Sequence, residues 1–423
     1  MYYLLPLSAL LAFSAAQGVG TPSHTIILDA GNSSTLLKIY QVNVVHSKYG
    51  PESSVKLLFL KSFSPGVRTL LSDRKFLLGH LDSILAEARQ HIPSAHYEWA
   101  YLHVYLTSGL RFLPVEDVKQ ILDYIRELLY QNRTLNPFQF KKCNVQLLSG
   151  EDEAVSSWLA ANYLLGGLDG SRFQNETVGV LDMGNEATAI TFVPDEPQYS
   201  EKYPLMFNKK RHELYTQNYL QYGSESIYVK IHNVLENRSL AAPQPMNPCM
   251  LHDDIKQVQL SDGRIVTHKG SGDPVFCEEI LAQIFKPSIG DECWPKPCSL
   301  GHVYQPRVLD IPFIATVGFV YTPTALGVVD ITKILYLDRL REAGHVYCKK
   351  TVSQAMAEYE KDAESVSQDC LMSLLIPTLF VNAYGFAPDS RQIRLMPDVE
   401  GEPIDWALGM VLQLAERYEY AAL

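Results

Sequence analysis

One pattern used twice constrains this chain more than anything else in it. The stretch IILDAGNSSTLLKIY, residues 26–40, reads as a buried strand ending in Asp29, a tight turn of small residues, and a second apolar strand. TVGVLDMGNEATAITFV, residues 177–193, repeats it about 150 residues later, with a β-branched strand ending in Asp182, a turn containing Gly184 and another apolar strand. α/β sheets gather ligands at the carboxyl ends of their strands, where each Asp sits just before a glycine. A repeat of this length predicts two similar lobes facing a cleft, each placing one turn at its mouth.

The rest of the pattern agrees with an α/β fold. Strand-like runs at 25–30, 35–44, 55–60, 101–106 and 143–148 alternate with helical stretches at 73–91 and 114–131. In the second helix Pro114 opens the first turn, acids follow it, and Val118, Ile121, Leu122, Ile125, Leu128 and Leu129 make one apolar stripe. Strands interleaved with helices of that length indicate a mixed or parallel sheet. From 240 to 310 the chain is rich in Pro, Gly, Asp and Cys and poor in periodicity, which predicts a disulfide-braced insertion. Helical patterns return at 353–385 and 404–419. The expected division is 24–148 plus 404–423 for the N-terminal lobe and 149–403 for the C-terminal lobe, the latter carrying the insertion. At 423 residues the chain has room for two domains, by the rule of roughly 100–200 residues each.

Composition narrows the function. The chain carries 36 basic and 47 acidic residues, a net charge of −11, and no basic run. Nucleic acid is therefore not an expected partner, because non-specific binding to it draws on Lys and Arg to displace counterions. An acidic protein that handles a phosphate ester needs a divalent cation or backbone amides to offset charge. Residues 1–17, MYYLLPLSALLAFSAAQ, have the apolar run and small-residue ending of a secretory signal peptide. No later stretch is apolar enough to predict a stable membrane span. Four sequons, at Asn32, Asn132, Asn175 and Asn237, and seven cysteines agree with secretion or a lumenal setting. Six cysteines follow residue 248 and suggest three disulfides, with 15 pairings open from spacing alone; Cys143 is then expected to be a buried thiol.

Two further stretches carry candidate chemistry. LLSGEDEAVSSWLAANYLLG, residues 147–166, enters a helix through Ser149 and Gly150 with three acids in the first turn. Those acids either complement the helix dipole or place a general base for water. YLTSGLRFLP, residues 105–114, sets Thr107 and Arg111 at a strand-to-turn junction, where Arg111 is a phosphate clamp or a surface charge. Two strand-end carboxylates can hold a hydrated divalent cation while the glycines admit backbone amides to phosphate oxygens.

Taken together and in this order, these stretches resemble the ecto-nucleoside triphosphate diphosphohydrolases, the apyrase family, over residues 24–420. LDAGNSST is similar to the family's first phosphate loop, D-A-G-S-S-H-T, and LTSGLR to its A-T-A-G-M-R region. LSGEDEAVSSWLAANYLLG, LDMGNEATAI and YTQNYLQYGSES resemble S-G-x-E-E-G-x-x-G-W-x-x-x-N-Y-L, L-D-L-G-G-A-S-T-Q-I and Y-T-H-S-Y-L-x-Y-G. CWPKPC, FIATVGFVY and DWALG resemble later signatures. The resemblance implies a two-lobed actin-like, ribonuclease H-like fold and hydrolysis of the terminal phosphates of nucleoside tri- and diphosphates with calcium or magnesium. It makes Asp29 and Asp182 the carboxylates that hold the metal through waters, and Glu153 the base for the attacking water. Gly31, Asn32, Ser33, Ser34, Thr107, Arg111, Gly184 and Asn185 fall at the phosphates, Tyr321 stacks on the base, and Trp406 lies nearby. It also pairs Cys293 with Cys298 and Cys348 with Cys370, which leaves Cys249 for Cys277.

The departures have chemical content. The Ser and Gln that orient the attacking water in the family align with Ala187 and Ala189, which have no side-chain hydrogen bonds to give. Asn185 replaces a glycine, and Glu186 brings a carboxylate that would repel phosphates unless it binds the metal. Asn32 and Ser34 replace Ser and His, and Ala154 and Ser157 replace two glycines of the third region. Two readings follow: a metal-assisted nucleoside phosphatase, or a protein of the same fold that binds nucleotide or protein without turnover.

Overall fold

The computed structural model of the chain describes residues 23–31, 34–47, 50–67, 74–168, 177–238, 246–285 and 293–417. The leader-like segment and the sequon Asn175 lie outside the described residues, as do Asn32 and Ser33. The described residues fall into two units, one formed by the chain up to Leu106 with Val115–Gln146 and Met410–Leu423, the other by Thr107–Pro114 and Leu147–Gly409.

In the first unit β1 (Ser23–Ala30) is buried along almost its whole length, as its Ile26, Ile27 and Leu28 require of a central strand. It pairs antiparallel with β2 (Thr35–Ser47), which pairs antiparallel with β3 (Gly50–Phe63). After α1 (Arg74–His91), β4 (Ala100–Leu106) returns parallel to β1. Then α2 (Val115–Gln131) leads to β5 (Val145–Leu147), and the sheet order is β3-β2-β1-β4-β5. Of the apolar stripe on α2, Val118, Ile121, Ile125 and Leu129 are buried, while Leu122 and Leu128 are half-buried at its margins.

The second unit, after its Thr107–Pro114 segment, continues with α3 (Gly150–Leu164) and then rebuilds the same sheet. It uses β6 (Gly179–Met183), β7 (Ala187–Phe192), β8 (Lys202–Phe207) and β9 (Lys210–Leu220) as an antiparallel series. Helix α4 (Ser226–Arg238) follows. The insertion then forms a small sheet of β10 (Met246–Asn247), β11 (Ile255–Gln259) and β12 (Ile265–Gly270), and a helix, α5 (Pro274–Phe285). Strand β13 (Phe313–Ala315) pairs parallel with β6 and precedes α6 (Val317–Ala325). The chain continues through α7 (Leu337–Tyr347), α8 (Val352–Tyr359) and α9 (Ala363–Asn382) to β14 (Ile393–Leu395), parallel to β13. It closes with α10 (Trp406–Glu416).

The order β14-β13-β6-β7-β9-β8 repeats the first sheet strand for strand, β6 standing for β1 and β13 for β4, with β8 added at the edge. Directions repeat as well: each central strand has an antiparallel partner on one side and a parallel one on the other. This is the duplicated ribonuclease H-like architecture of the actin-like fold.

Three expectations need correction. The helix anticipated over 353–385 is two, because Glu360 adopts a left-handed conformation and Asp362 caps a new start by accepting from the Ser365 N–H at 2.8 Å. The insertion, expected to lack periodicity, contains a sheet and a helix whose Cys277, Ile280 and Leu281 are buried in the unit's core. Cys143 is exposed, since it lies in the short 3₁₀ turn before β5, where its neighbour Asn144 turns inward to donate to the Leu102 carbonyl. Disulfides join Cys249 to Cys277, Cys293 to Cys298 and Cys348 to Cys370, which indicates an oxidising compartment. No described helix is long and apolar enough to cross a membrane.

Candidate active site

In the second unit β6 runs out at Met183 into a turn that is gripped from below. The Gly184 N–H closes on the Ala187 carbonyl at 2.9 Å, and the Gly184 carbonyl accepts from the Ser224 N–H at 3.0 Å. The Asn185 carbonyl takes the Glu225 and Ser226 N–H groups at 2.9 and 3.0 Å, so the free donors at the start of α4 end on this loop. Gly223 makes the contact possible: a Cβ there would stand 2.4 Å from the Asn185 backbone. The Glu186 carboxylate accepts the Ser226 hydroxyl, so it is held by α4. Gly184 and Asn185 remain exposed.

Asp182, the last carboxylate of β6, is half-buried and accepts the Thr316 hydroxyl. Thr316 also donates to the Leu181 carbonyl at 3.2 Å, which fixes its rotamer. Burial pushes the Asp182 carboxyl above the usual range, the Thr316 and backbone hydrogen bonds pull it down, and the nearby Asp405 carboxylate pushes it up again. Thr316 and Asp405 were not singled out from sequence, although FIATVGFVY and DWALG contain them. The signal lay in their places: the residue after a strand end and the residue before a helix.

At the start of α3, the Ser149 hydroxyl accepts from the Asp152 N–H at 3.0 Å, and Asp152 itself accepts from the Tyr203 hydroxyl at 2.7 Å. One acid of the first turn is thus structural. Glu153 is different: it accepts from Arg111, whose Nε donates to the Leu148 carbonyl at 2.9 Å. Both side chains are mostly buried, 11% exposed for Arg111 and 18% for Glu153. Thr107 is buried, its carbonyl accepting from Leu110 N–H at 3.1 Å in the short turn that carries Arg111.

Ala187 and Ala189 are buried on β7. Between them Thr188, on the opposite face, bonds the Asp182 carbonyl at 3.0 Å and the buried Tyr384 hydroxyl at 3.1 Å. Gly318, at the start of α6, packs on the Met183 carbonyl so closely that a Cβ would lie 2.0 Å from it. Tyr321, one turn further on, is 67% exposed. Trp406 is buried at the start of α10, where Gly409 lets that helix touch the Ser156 carbonyl of α3.

In the first unit Asp29 stands at the corresponding strand end. Gly31 closes the turn, its N–H donating to the Ser34 carbonyl at 3.0 Å and its carbonyl accepting from Val67 N–H at 3.2 Å. Lys38 on β2 lies diagonally across from Asp29 on the same face and forms an ion pair with it at 3.7 Å. Lys38 is nearly buried, and sequence reading passed over it.

The two units define a class, the duplicated actin-like α/β fold with an Asp-x-Gly turn at the end of the central strand of each sheet. Comparison with known proteins narrows it. The profile of the GDA1/CD39 (nucleoside phosphatase) family matches residues 20–421, and the chain belongs to that family. It is similar to human ectonucleoside triphosphate diphosphohydrolase 3, 26% identical over 93% of this chain and 78% of the relative. Guanosine-diphosphatase of Schizosaccharomyces pombe is 25% identical over 92% of this chain and 73% of the relative. A crystal structure described as nucleoside triphosphate hydrolases from Neospora caninum shares the fold, with a TM-score of 0.71 at 14% identity over 95% of this chain and 94% of that one.

Proposed function

We propose that the protein hydrolyses the terminal phosphate of nucleoside tri- and diphosphates in an oxidising compartment, secreted or lumenal, with Ca2+ or Mg2+. The observation that supports this most is the joining of Arg111 and Glu153, a phosphate-binding cation and a base drawn from stretches 42 positions apart. The donor chemistry fits the cation. Asp29 and Asp182 are hard oxygen ligands, and burial disfavours an unaccompanied Asp182 carboxylate. Among the described residues no group of three or more His, Cys, Asp or Glu gathers to form a metal cage. A cation held by one or two carboxylates plus substrate phosphates needs none.

When bound, the cation neutralises charge that develops on the phosphate oxygens. The chain's own groups do the rest. The backbone amides of the Gly31 and Gly184 turns, with Asn32, Ser33, Ser34 and Asn185, receive the phosphates, and Thr107 supports the turn that offers Arg111. A phosphate competes with Glu153 for the Arg111 guanidinium, since both are anions matched to its fork. That exchange turns a Glu153 oxygen toward water, which gives up its proton as it attacks in line. Tyr321 stacks on the base, and Trp406 supports the α3 end of the site from α10.

Ala187 and Ala189 favour a second reading, nucleotide binding without turnover. The test is phosphate release from ATP, ADP, UDP and GDP with millimolar Ca2+ or Mg2+ and after chelation. Metal-dependent release supports the phosphatase, and binding without release supports the second reading.

A further inference from the structure

Strand register places Asp182, Ala189 and Asn218 in one row across β6, β7 and β9: Asp182 pairs directly with Ala189, and Ala189 with Asn218. Directly paired residues share a face, their Cβ atoms about 5 Å apart. Asn218 is half-buried, and its side-chain amide makes no hydrogen bond to any described residue. It rests instead over the first residue of α3. A Cβ on Gly150 would lie 2.6 Å from its Cγ and 2.7 Å from its Oδ1. Glu153 follows Gly150 by three positions, in the same first turn.

This position also departs from the family pattern. Y-T-H-S-Y-L has Ser where YTQNYL has Asn218, and D-L-G-G-A-S-T-Q-I has Gln where this chain has Ala189. Two directly paired positions have exchanged their polar bulk: Gln beside Ser has become Ala beside Asn. The amide has moved one strand over and stayed in the same row.

We propose that Asn218 is the positioning residue for the attacking water, taking over what Ala187 and Ala189 no longer supply; this rests on the phosphatase reading. The Asn218 Oδ1 accepts one hydrogen of the water, and the other proton passes to Glu153. The water oxygen forms a bond to the terminal phosphorus as the bond from that phosphorus to the bridging oxygen breaks. The electron pair leaves with the shortened nucleotide, and inorganic phosphate is released.

The experiment compares wild type, Asn218→Ala, Glu153→Gln and the double variant A189Q/N218S, which restores the family pairing. Asn218→Ala should lower kcat about 10²-fold with KM within about twofold and an unchanged Tm, as loss of one preorganised group does. The double variant, whose amide stands on position 189 instead of 218, should recover most of the kcat that Asn218→Ala loses. If Glu153→Gln abolishes turnover while Asn218→Ala leaves kcat intact, Asn218 positions nothing and only this inference falls. If Glu153→Gln has no effect, the phosphatase reading falls and takes the inference with it. Should Asn218→Ala fail to fold, the double variant decides alone: inactivity in a folded protein overturns the exchange.

Discussion

Arg111 holds two partners at once, donating through Nη2 to the Glu153 carboxylate and through Nε to the Leu148 carbonyl at 2.9 Å. The planar fork makes this geometry possible, and a lysine ammonium cannot reproduce it. Arg111→Lys should therefore raise KM for nucleotide about 10- to 100-fold, the cost of one charge-assisted bidentate contact, with a smaller fall in kcat. Steady-state kinetics check this; a KM at the wild-type value would show that Arg111 serves the fold and not the phosphate.

The Lys38–Asp29 ion pair is nearly buried, with side-chain exposures of 5% and 13%. Removing one member of such a pair destabilises by about 3 kcal/mol because the remaining charge loses its counterion. Lys38→Met should lower Tm in chelator, and millimolar Ca2+ or Mg2+ should raise the Tm of the variant more than that of wild type. Equal cation shifts would separate Asp29 from the cation.

Gly223 seats the Gly184–Asn185 turn, proposed above as a phosphate contact, and a Cβ there meets the Asn185 backbone. Gly223→Ala forces the turn away from α4 and should cost about 1–3 kcal/mol as overpacking does. Nucleotide affinity should fall more than stability would explain. Calorimetric titration with a non-hydrolysable analogue gives the affinity, and a variant that binds normally would show that the turn is not a phosphate contact.

Stability should fall in acid through buried histidines, most of all His103 and His268. Burial, reinforced by Lys141 for His103 and by His232 for His268, lowers both to about 4. The network around His268 explains why it resists a proton. The Asn247 Oδ1 accepts from Cys249 N–H at 2.9 Å, so its Nδ2 donates to the His268 Nδ1 at 3.0 Å and leaves no lone pair there. His268 then donates through Nε2 to the His232 Nδ1 at 3.0 Å. The unfolded chain takes up protons near pH 6.5 and the folded one near 4. Stability is therefore full above 6.5 and declines as pH falls from 6.5 to 4, by up to roughly 3 kcal/mol per histidine. Tm against pH should show this slope, and His268→Gln should reduce it; a flat profile contradicts the account.

How much of this was legible in the sequence depends on how local each signal is. The duplicated strand–Asp–turn pattern and the period of α2 are local, and they led to the sheets and to α2 within a few residues. Residues 353–385 read as one helix because both halves are apolar and periodic, and the break at Glu360 is a backbone feature without Gly or Pro to announce it. Thr316, Asn218 and Lys38 escaped because what each does depends on a partner from another element: Asp182, the Gly150 end of α3 and Asp29. Spacing along the chain does not encode those pairings. The exchange of Ala187 and Ala189 looked like a simple loss until register placed Asn218 beside Ala189.

The most direct test of the central claim is phosphate release from nucleoside di- and triphosphates by the purified protein and by Glu153→Gln, each with millimolar Ca2+ or Mg2+. The account predicts metal-dependent release by wild type and a loss of at least about 10³-fold in the variant, with nucleotide still bound. Equal rates in the two proteins, or no release by either, would contradict it.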